Sequence, residues 1–260
     1  MVFSQNGKFC SQFHHDHKAF HLGNQANVYS VMALVNKGVR YTDQVQDILD
    51  RFSQGNAPFV AQMFLEQIPD LKAQLEKGID VIEFGAGRGR LSATLAQQFP
   101  NSRFVASEVV PNLVEANKER WKSIPNISFS LDDVCSIPDV PEKHFDWVFC
   151  CDVIHDLPDP LEALQGIKRM LRKPYGLLTF VDMATSGSPL ADRGDMAVAT
   201  FYTLGTFFCI PESYQRENSL ALGPCCGSQT LTNLAQNAGF QVKFIKVEDC
   251  SGLFICKCTS

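Results

Sequence analysis

The sequence predicts a doubly wound α/β fold with a mostly parallel, seven-stranded sheet and a small helical N-terminal appendage. Three observations carry this. From about residue 79, short β-branched or aromatic runs alternate with longer helix-period segments, as in βαβ units. The first run, Asp80-Val81-Ile82-Glu83, passes straight into closely spaced glycines ahead of a helix. The last two runs are close enough together for a hairpin that adds an antiparallel strand to the parallel ones.

In chain order, the pattern places strands at 80–83, 103–107, 127–131, 146–151 and 177–182, with helices at 89–99, 111–122 and 160–171. Pro100-Asn101 and Pro125-Asn126 supply turns before two of these strands. The stretch 184–226 is rich in Gly, Pro, Ser and aromatics and longer than an inert connection, so it is expected to serve the site. A helix at 228–238, a Gly239 cap and strands at 241–247 and 253–257 around a turn at 249–252 close the chain. Residues 1–78 read as a helical region, with segments at 28–35, 44–52 and 59–68 broken at Lys37-Gly38 and Gly55-Asn56. The expected division is 1–78 and 79–260, the first part covering one side of the site, forming a homodimer, or simply extending the packing.

Composition narrows the partners. With 23 Lys and Arg against 28 Asp and Glu, the net charge is −5, and no global positive field draws the chain to nucleic acid or an anionic membrane. Met1 to Phe13 carries Gln5, Asn6 and Lys8 rather than the apolar stretch of a signal peptide, and no later run reaches spanning length; a cytoplasmic location is the expectation. Of ten cysteines, Cys135, Cys150, Cys151, Cys209 and Cys256 sit in or beside apolar runs, as reduced, buried thiols do. The adjacent pairs Cys150-Cys151 and Cys225-Cys226 lack the two-residue gap of zinc and redox motifs. His14, His15, Asp16, His17 and His21 read as a solvated terminus, and no metal is expected.

The segment from Asp80 to Gly89 is the most informative. A dinucleotide fingerprint would need a glycine at position 90, which is Arg90; the glycines fall instead at Gly85, Gly87 and Gly89. A carboxylate at Glu83 would repel a pyrophosphate, yet accept a hydrogen bond from a ligand's ammonium group. Glu108, just after the second strand, is placed to accept from both hydroxyls of a ribose. Asp132 or Asp133, after the third strand, can take an adenine amine while Val134 packs on the ring.

This ordered set resembles the class I S-adenosylmethionine methyltransferases, whose acid-x-Gly-x-Gly-x-Gly motif is matched from Glu83 to Gly89. The resemblance spans about 79–258. It implies S-adenosyl-L-methionine as cofactor, with Glu108 as the acid after strand two and Asp133 as the best match for the aspartate after strand three. More narrowly, Asp182, Ser219 to Gly223 and Gly239-Phe240 resemble a group of winged-helix-plus-methyltransferase proteins, whose N-terminal domain is longer than the region preceding Gly78 here. A thiol-dependent arsenic methyltransferase is a further reading that the cysteines leave open.

Methyl transfer is an in-line displacement, so the protein must chiefly place the acceptor and exclude water, and a hydroxyl acceptor also needs a base. His155, in Cys151-Asp152-Val153-Ile154-His155-Asp156-Leu157-Pro158-Asp159-Pro160 after strand four, is the candidate base, with Asp156 or Asp159 orienting it; a structural, helix-capping role is the alternative. The stretch resembles the His-Asp segment of small-molecule O-methyltransferases. Cys151 and Asp152 are expected at the methionine end of the cofactor, although Asp152 also fits a plain loop carboxylate. Met196, Phe201, Tyr202, Phe207, Phe208 and Tyr214 are expected around a small-molecule acceptor, with Asp182 as the polar residue there. The expected function is methyl transfer to a small molecule at oxygen; protein or RNA methylation, or non-catalytic cofactor binding, are the alternatives.

Overall fold

The computed structural model describes residues 38–139, 144–247 and 251–259. The expected helix at 28–35, the histidine cluster at 14–21 and the first half of the turn at 249–252 lie outside the described residues.

Among the described residues two helices come first, α1 (Asp43–Gln67) and α2 (Leu71–Lys77). The βαβ series follows: β1 (Asp80–Phe84), α3 (Arg90–Gln98), β2 (Arg103–Glu108), α4 (Pro111–Arg120), β3 (Ile127–Leu131), β4 (Trp147–Cys151), α5 (Pro160–Met170) and β5 (Leu177–Met183). The 184–226 segment forms α6 (Met196–Leu204), a π-helical turn (Gly205–Cys209) and α7 (Ile210–Ser213). The chain ends in α8 (Ser228–Asn237), β6 (Phe240–Lys246) and β7 (Ser251–Cys258).

The seven strands lie in the order β3-β2-β1-β4-β5-β7-β6. The first five pair in parallel, and β7 inserts antiparallel between β5 and β6. The expected fold class is therefore present. Chain order reverses at β1, which pairs with β2 on one side and β4 on the other, and that switch point opens a crevice at the strands' carboxyl ends.

Both faces of the sheet are covered, which is why its central strands read as unbroken apolar runs. On one face Trp147 and Phe149 of β4 meet Phe64 of α1 and Leu95 of α3; Phe64 stands edge-on to Trp147 with ring centroids 5.3 Å apart. On the other, Val148 and Cys150 pack with Leu164 and Ile167 of α5 and Leu231 of α8. The first of these cores runs unbroken across the expected boundary at 78, since Leu71 and Leu75 of α2 belong to it.

The N-terminal expectation needs correcting. The helices expected at 44–52 and 59–68 are one helix, α1, with Pro58 inside it. Gly55 has open space beside it, so its cost is about 1 kcal/mol of backbone entropy. Burying Val60, Met63 and Phe64 on the same helix outweighs this at about 1.5–3 kcal/mol each. No winged helix is found among the described residues.

Candidate active site

A cavity of about 540 Å³ opens at the switch point, within the size range of small-molecule sites. Its floor is the loop after β1. Gly85 has φ +66°, and a Cβ there would sit 2.5 Å from a Val153 methyl, so both the backbone angle and the close approach require glycine. The loop is fixed from α4, where Asn117 Nδ2 donates to the Gly87 carbonyl at 2.7 Å and Trp121 Nε1 to that of Arg88 at 2.8 Å. Gly85 and Gly87 line the cavity, whereas Gly89, expected beside them, is the N-cap of α3 at φ +70°.

Glu83 is buried at the end of β1. One of its oxygens, Oε2, accepts from the Ser92 amide at 3.1 Å and the Ser92 hydroxyl at 2.5 Å, so α3 holds the carboxyl at the cavity wall. Burial raises its pKa to about 7 against the pull of those bonds. Glu108 ends β2 and collects three backbone amides: Gly87 on Oε2 at 2.9 Å, and Val109 and Val110 on Oε1 at 2.8 and 3.1 Å. Burial also raises its pKa, these amides opposing the shift.

Asp132, Asp133 and Val134 line the same end of the cavity. Asp132 accepts from the Ser107 hydroxyl at 3.0 Å. Asp133 caps the short turn Val134–Ser136, accepting from the Cys135 amide at 2.9 Å, and its other oxygen faces Arg216 at 3.3 Å. Cys151 and Asp152 line the wall from β4, and Asp152 turns the chain at φ 55° while its amide donates to the Val181 carbonyl.

His155 is 4% exposed, in a single 3₁₀ turn (Ile154–Asp156), and borders the cavity. Its orienting partner corrects the expectation. Asp159 does not orient the ring, because its carboxylate caps α5 by accepting from the Glu162 amide at 2.9 Å. The Nδ1 partner is Asp182 at the end of β5, 2.7 Å away, and Asp156 Oδ1 lies 3.2 Å from Nε2 on the other side. Burial disfavours the imidazolium, yet these two carboxyl groups outweigh it and hold the His155 pKa well above its ordinary value. Burial lifts Asp156 to about 6 despite the nearby imidazole.

The cavity beside His155 has walls that the sequence reading missed. Residues 38–41 cross to α7: the Val39 amide donates to the Pro211 carbonyl at 3.0 Å, Arg40 Nη1 to Glu212 Oε1 at 3.0 Å and the Tyr41 amide to Glu212 Oε2 at 2.6 Å. Tyr41, Cys209 and Glu212 all line the cavity. No local periodicity marks them, because Tyr41 meets Asp156 and Glu212 from more than a hundred residues away and Cys209 meets His155 from another segment. Of the six side chains expected around an acceptor, Phe201 lines the cavity and Met196, Tyr202, Phe207, Phe208 and Tyr214 do not. Met196 is 73% exposed, and Tyr202 turns its hydroxyl to Asp192 at 3.1 Å. The helical period of α6 presents only one side of that run to the site.

Residues 81–174, which hold the glycine loop and the His155 turn, match a family profile described as a methyltransferase domain. By sequence, residues 81–174 are similar to a methyltransferase domain, and the sheet has the fold of the class I methyltransferases. The chain is 34% identical over 96 residues to malonyl-[acyl-carrier protein] O-methyltransferase 1 of Ilyobacter polytropus, a match covering 37% of this chain and 35% of that protein. The matched region thus spans about a third of that relative's length. Among solved structures, an O-methyltransferase family protein from Burkholderia thailandensis superposes with a TM-score of 0.66 at 12% identity, covering 94% of this chain and 70% of the other. Human N-acetylserotonin methyltransferase in complex with SAM gives a TM-score of 0.61 at 15% identity, covering 99% of this chain and 61% of the other. At such identities the likeness establishes the fold.

The eight cysteines among the described residues are all free thiols, in keeping with the reduced reading. No helix among the described residues is long and apolar enough to cross a membrane.

Proposed function

We propose that this chain transfers a methyl group from S-adenosyl-L-methionine to an oxygen of a small-molecule acceptor. The observation that carries this reading is His155, on the wall of the same cavity that contains the glycine loop and Glu108 and held from behind by the fully buried Asp182. The names of the Ilyobacter and Burkholderia proteins, both O-methyltransferases, support it.

The residues fit the cofactor. A Cβ at Gly87 would meet nothing within 4 Å, so the loop backbone faces open cavity, and its amide donates to Glu108 and holds that carboxylate in place. Glu108, Asp132, Asp133 and Val134 would hold the adenosine end; Glu83, Gly85, Cys151 and Asp152 would hold the methionine end, where an ammonium group answers the buried Glu83 carboxyl. When bound, S-adenosyl-L-methionine supplies an electron-poor methyl group on a sulfonium.

The rest falls to the protein. Asp182 fixes the imidazole by taking Nδ1–H, so Nε2 faces Asp156 and the acceptor end of the cavity. His155 and Asp156 then titrate as a unit, and that unit receives the proton a hydroxyl acceptor loses. Asp156 Oδ1 is buried with no conventional hydrogen bond, so it is available to an incoming O–H. Arg40, Tyr41 and Phe201 line the acceptor end and limit its exposure to water.

Calorimetric titration with S-adenosyl-L-methionine, and separately with NAD, tests the cofactor assignment; saturable binding of the first alone is expected. A panel of phenols, carboxylic acids and amines, read by formation of the demethylated cofactor, then tests the acceptor. Turnover confined to amines would defeat the oxygen assignment, and tight binding without turnover across the panel would favour a non-catalytic role.

A further inference from the structure

We propose that His155 Nε2, an Asp156 carboxylate oxygen and Cys209 Sγ form a binding site for one divalent transition-metal ion of the zinc class at the acceptor end of the cavity. The three side chains offer one ligand atom each, and those atoms all lie within 4.8 Å of one another. Two are already close to the spacing that a tetrahedral ion with bonds of about 2.0–2.3 Å imposes: Nε2 and Asp156 Oδ1 are 3.2 Å apart. Cys209 Sγ completes the triangle within the same 4.8 Å limit.

Three features favour an ion over a coincidental cluster. Asp156 Oδ1 is buried without a conventional hydrogen bond and has the His155 ring 3.2 Å away, so an ion seated between the two would give it the partner it lacks. Asp182 takes the other nitrogen of the ring at 2.7 Å, the carboxylate–histidine support that fixes the tautomer and strengthens the ring as a ligand. Cys209 is the last residue of the π-helical turn, an irregularity that rotates the chain entering α7 and sets the thiol beside His155 and Tyr41. Three protein ligands bordering an open cavity also leave the fourth position for water or an acceptor atom, as catalytic and regulatory zinc sites do. The spacing does not announce the site in the sequence, because the thiol comes from the 184–226 segment and the other two ligands from the turn after β4.

The ion takes the nitrogen that the proposed proton acceptor uses, so metal loading and methyl transfer exclude one another. That clause rests on the oxygen-methylation reading, whereas metal binding itself does not.

The test is anaerobic titration of the reduced, chelator-stripped full chain with Co²⁺. The expected result is one equivalent bound, with intense visible d–d bands of a tetrahedral ion and a thiolate-to-cobalt charge-transfer band, both removed by one equivalent of Zn²⁺. Cys209→Ser should abolish the charge-transfer band, and Cys258→Ser, far from the cavity, should keep it. Asp156→Asn should weaken binding by roughly ten- to a hundredfold while the band persists, which covers the case in which Cys209→Ser fails to fold. A weak octahedral spectrum without a thiolate band, as histidines near the N-terminus would give, overturns the proposal, as does a band that survives Cys209→Ser. If cobalt binds as described and methyl transfer continues undiminished in the loaded protein, the metal site stands and the proton-acceptor reading falls.

Discussion

The Tyr41 hydroxyl donates to Asp156 Oδ2 across 2.9 Å, joining the first described segment of the chain to the turn that carries His155. Tyr41 thereby fixes the carboxylate whose other oxygen faces Nε2. Removing the hydroxyl leaves Oδ2 without that donor inside the cavity. For Tyr41→Phe we expect a loss of about 1–2 kcal/mol in denaturant unfolding. Turnover should fall more than the affinity for S-adenosyl-L-methionine; equal losses in both would show that Tyr41 only supports the fold.

Asp182→Asn keeps the size of the side chain but allows the imidazole to adopt the wrong tautomer. Turnover should drop by about 10²- to 10⁴-fold, as should that of His155→Gln, and the double variant should lose little beyond either single one. Losses that multiply in the double variant would mean that the two residues act separately.

Glu83 gives a pH dependence whose sign can be worked out. Its pKa rises from the ordinary 4.5 to about 7 on folding. A raised value means that the folded protein holds the proton more tightly than the unfolded chain. The associated stability is full below about pH 4.5 and disappears as the pH climbs through 7, a change on the order of 3 kcal/mol. A cofactor ammonium favours the ionised form, so binding should expel a proton near pH 6.5. Calorimetry in buffers of different ionisation heat should show this release, and Glu83→Gln should lack it. Identical heats in every buffer would remove Glu83 from the methionine end.

Gly85→Ala would place a methyl group 2.5 Å from Val153 at φ +66°. We expect a loss of about 1–3 kcal/mol in stability together with weakened cofactor binding, since the displaced loop carries the Gly87 amide. Pairing it with Val153→Ala should restore part of the stability, because the steric contact is relieved while the backbone angle is not.

The sheet was legible in the sequence because each strand is a local pattern: β1 running into Gly85 and Gly87, or β4 as Trp147 to Cys151, needs only its own neighbours to be read. Glu83, Glu108 and Asp133 were legible for the same reason, as acids at strand ends. α1 was not, since Gly55, Asn56 and Pro58 look like a break until Phe64 is seen packed on Trp147. The acceptor end was least legible. Asp182 meets His155 from 27 residues away, Tyr41 meets Asp156 from 115, and the Tyr41 amide meets Glu212 from 171. Such meetings depend on how the fold closes, which periodicity does not encode. Aromatic richness in 184–226 suggested a lid of rings, whereas the polar and thiol side chains of that segment, Glu212 and Cys209, reach the cavity beside Phe201.

The wall of the cavity beside His155 is built from residues 38–41 paired with α7, neither of which belongs to the sheet. The two halves of the cavity are consequently separable in engineering terms. Grafting residues 38–41 and 205–212 together from another methyltransferase, with Arg40 kept because its charge acts on Glu108, would retune which acceptor is admitted while leaving the β1 loop and the turn after β3 untouched. Grafting one without the other would sever the Glu212 contacts and open the chamber to solvent.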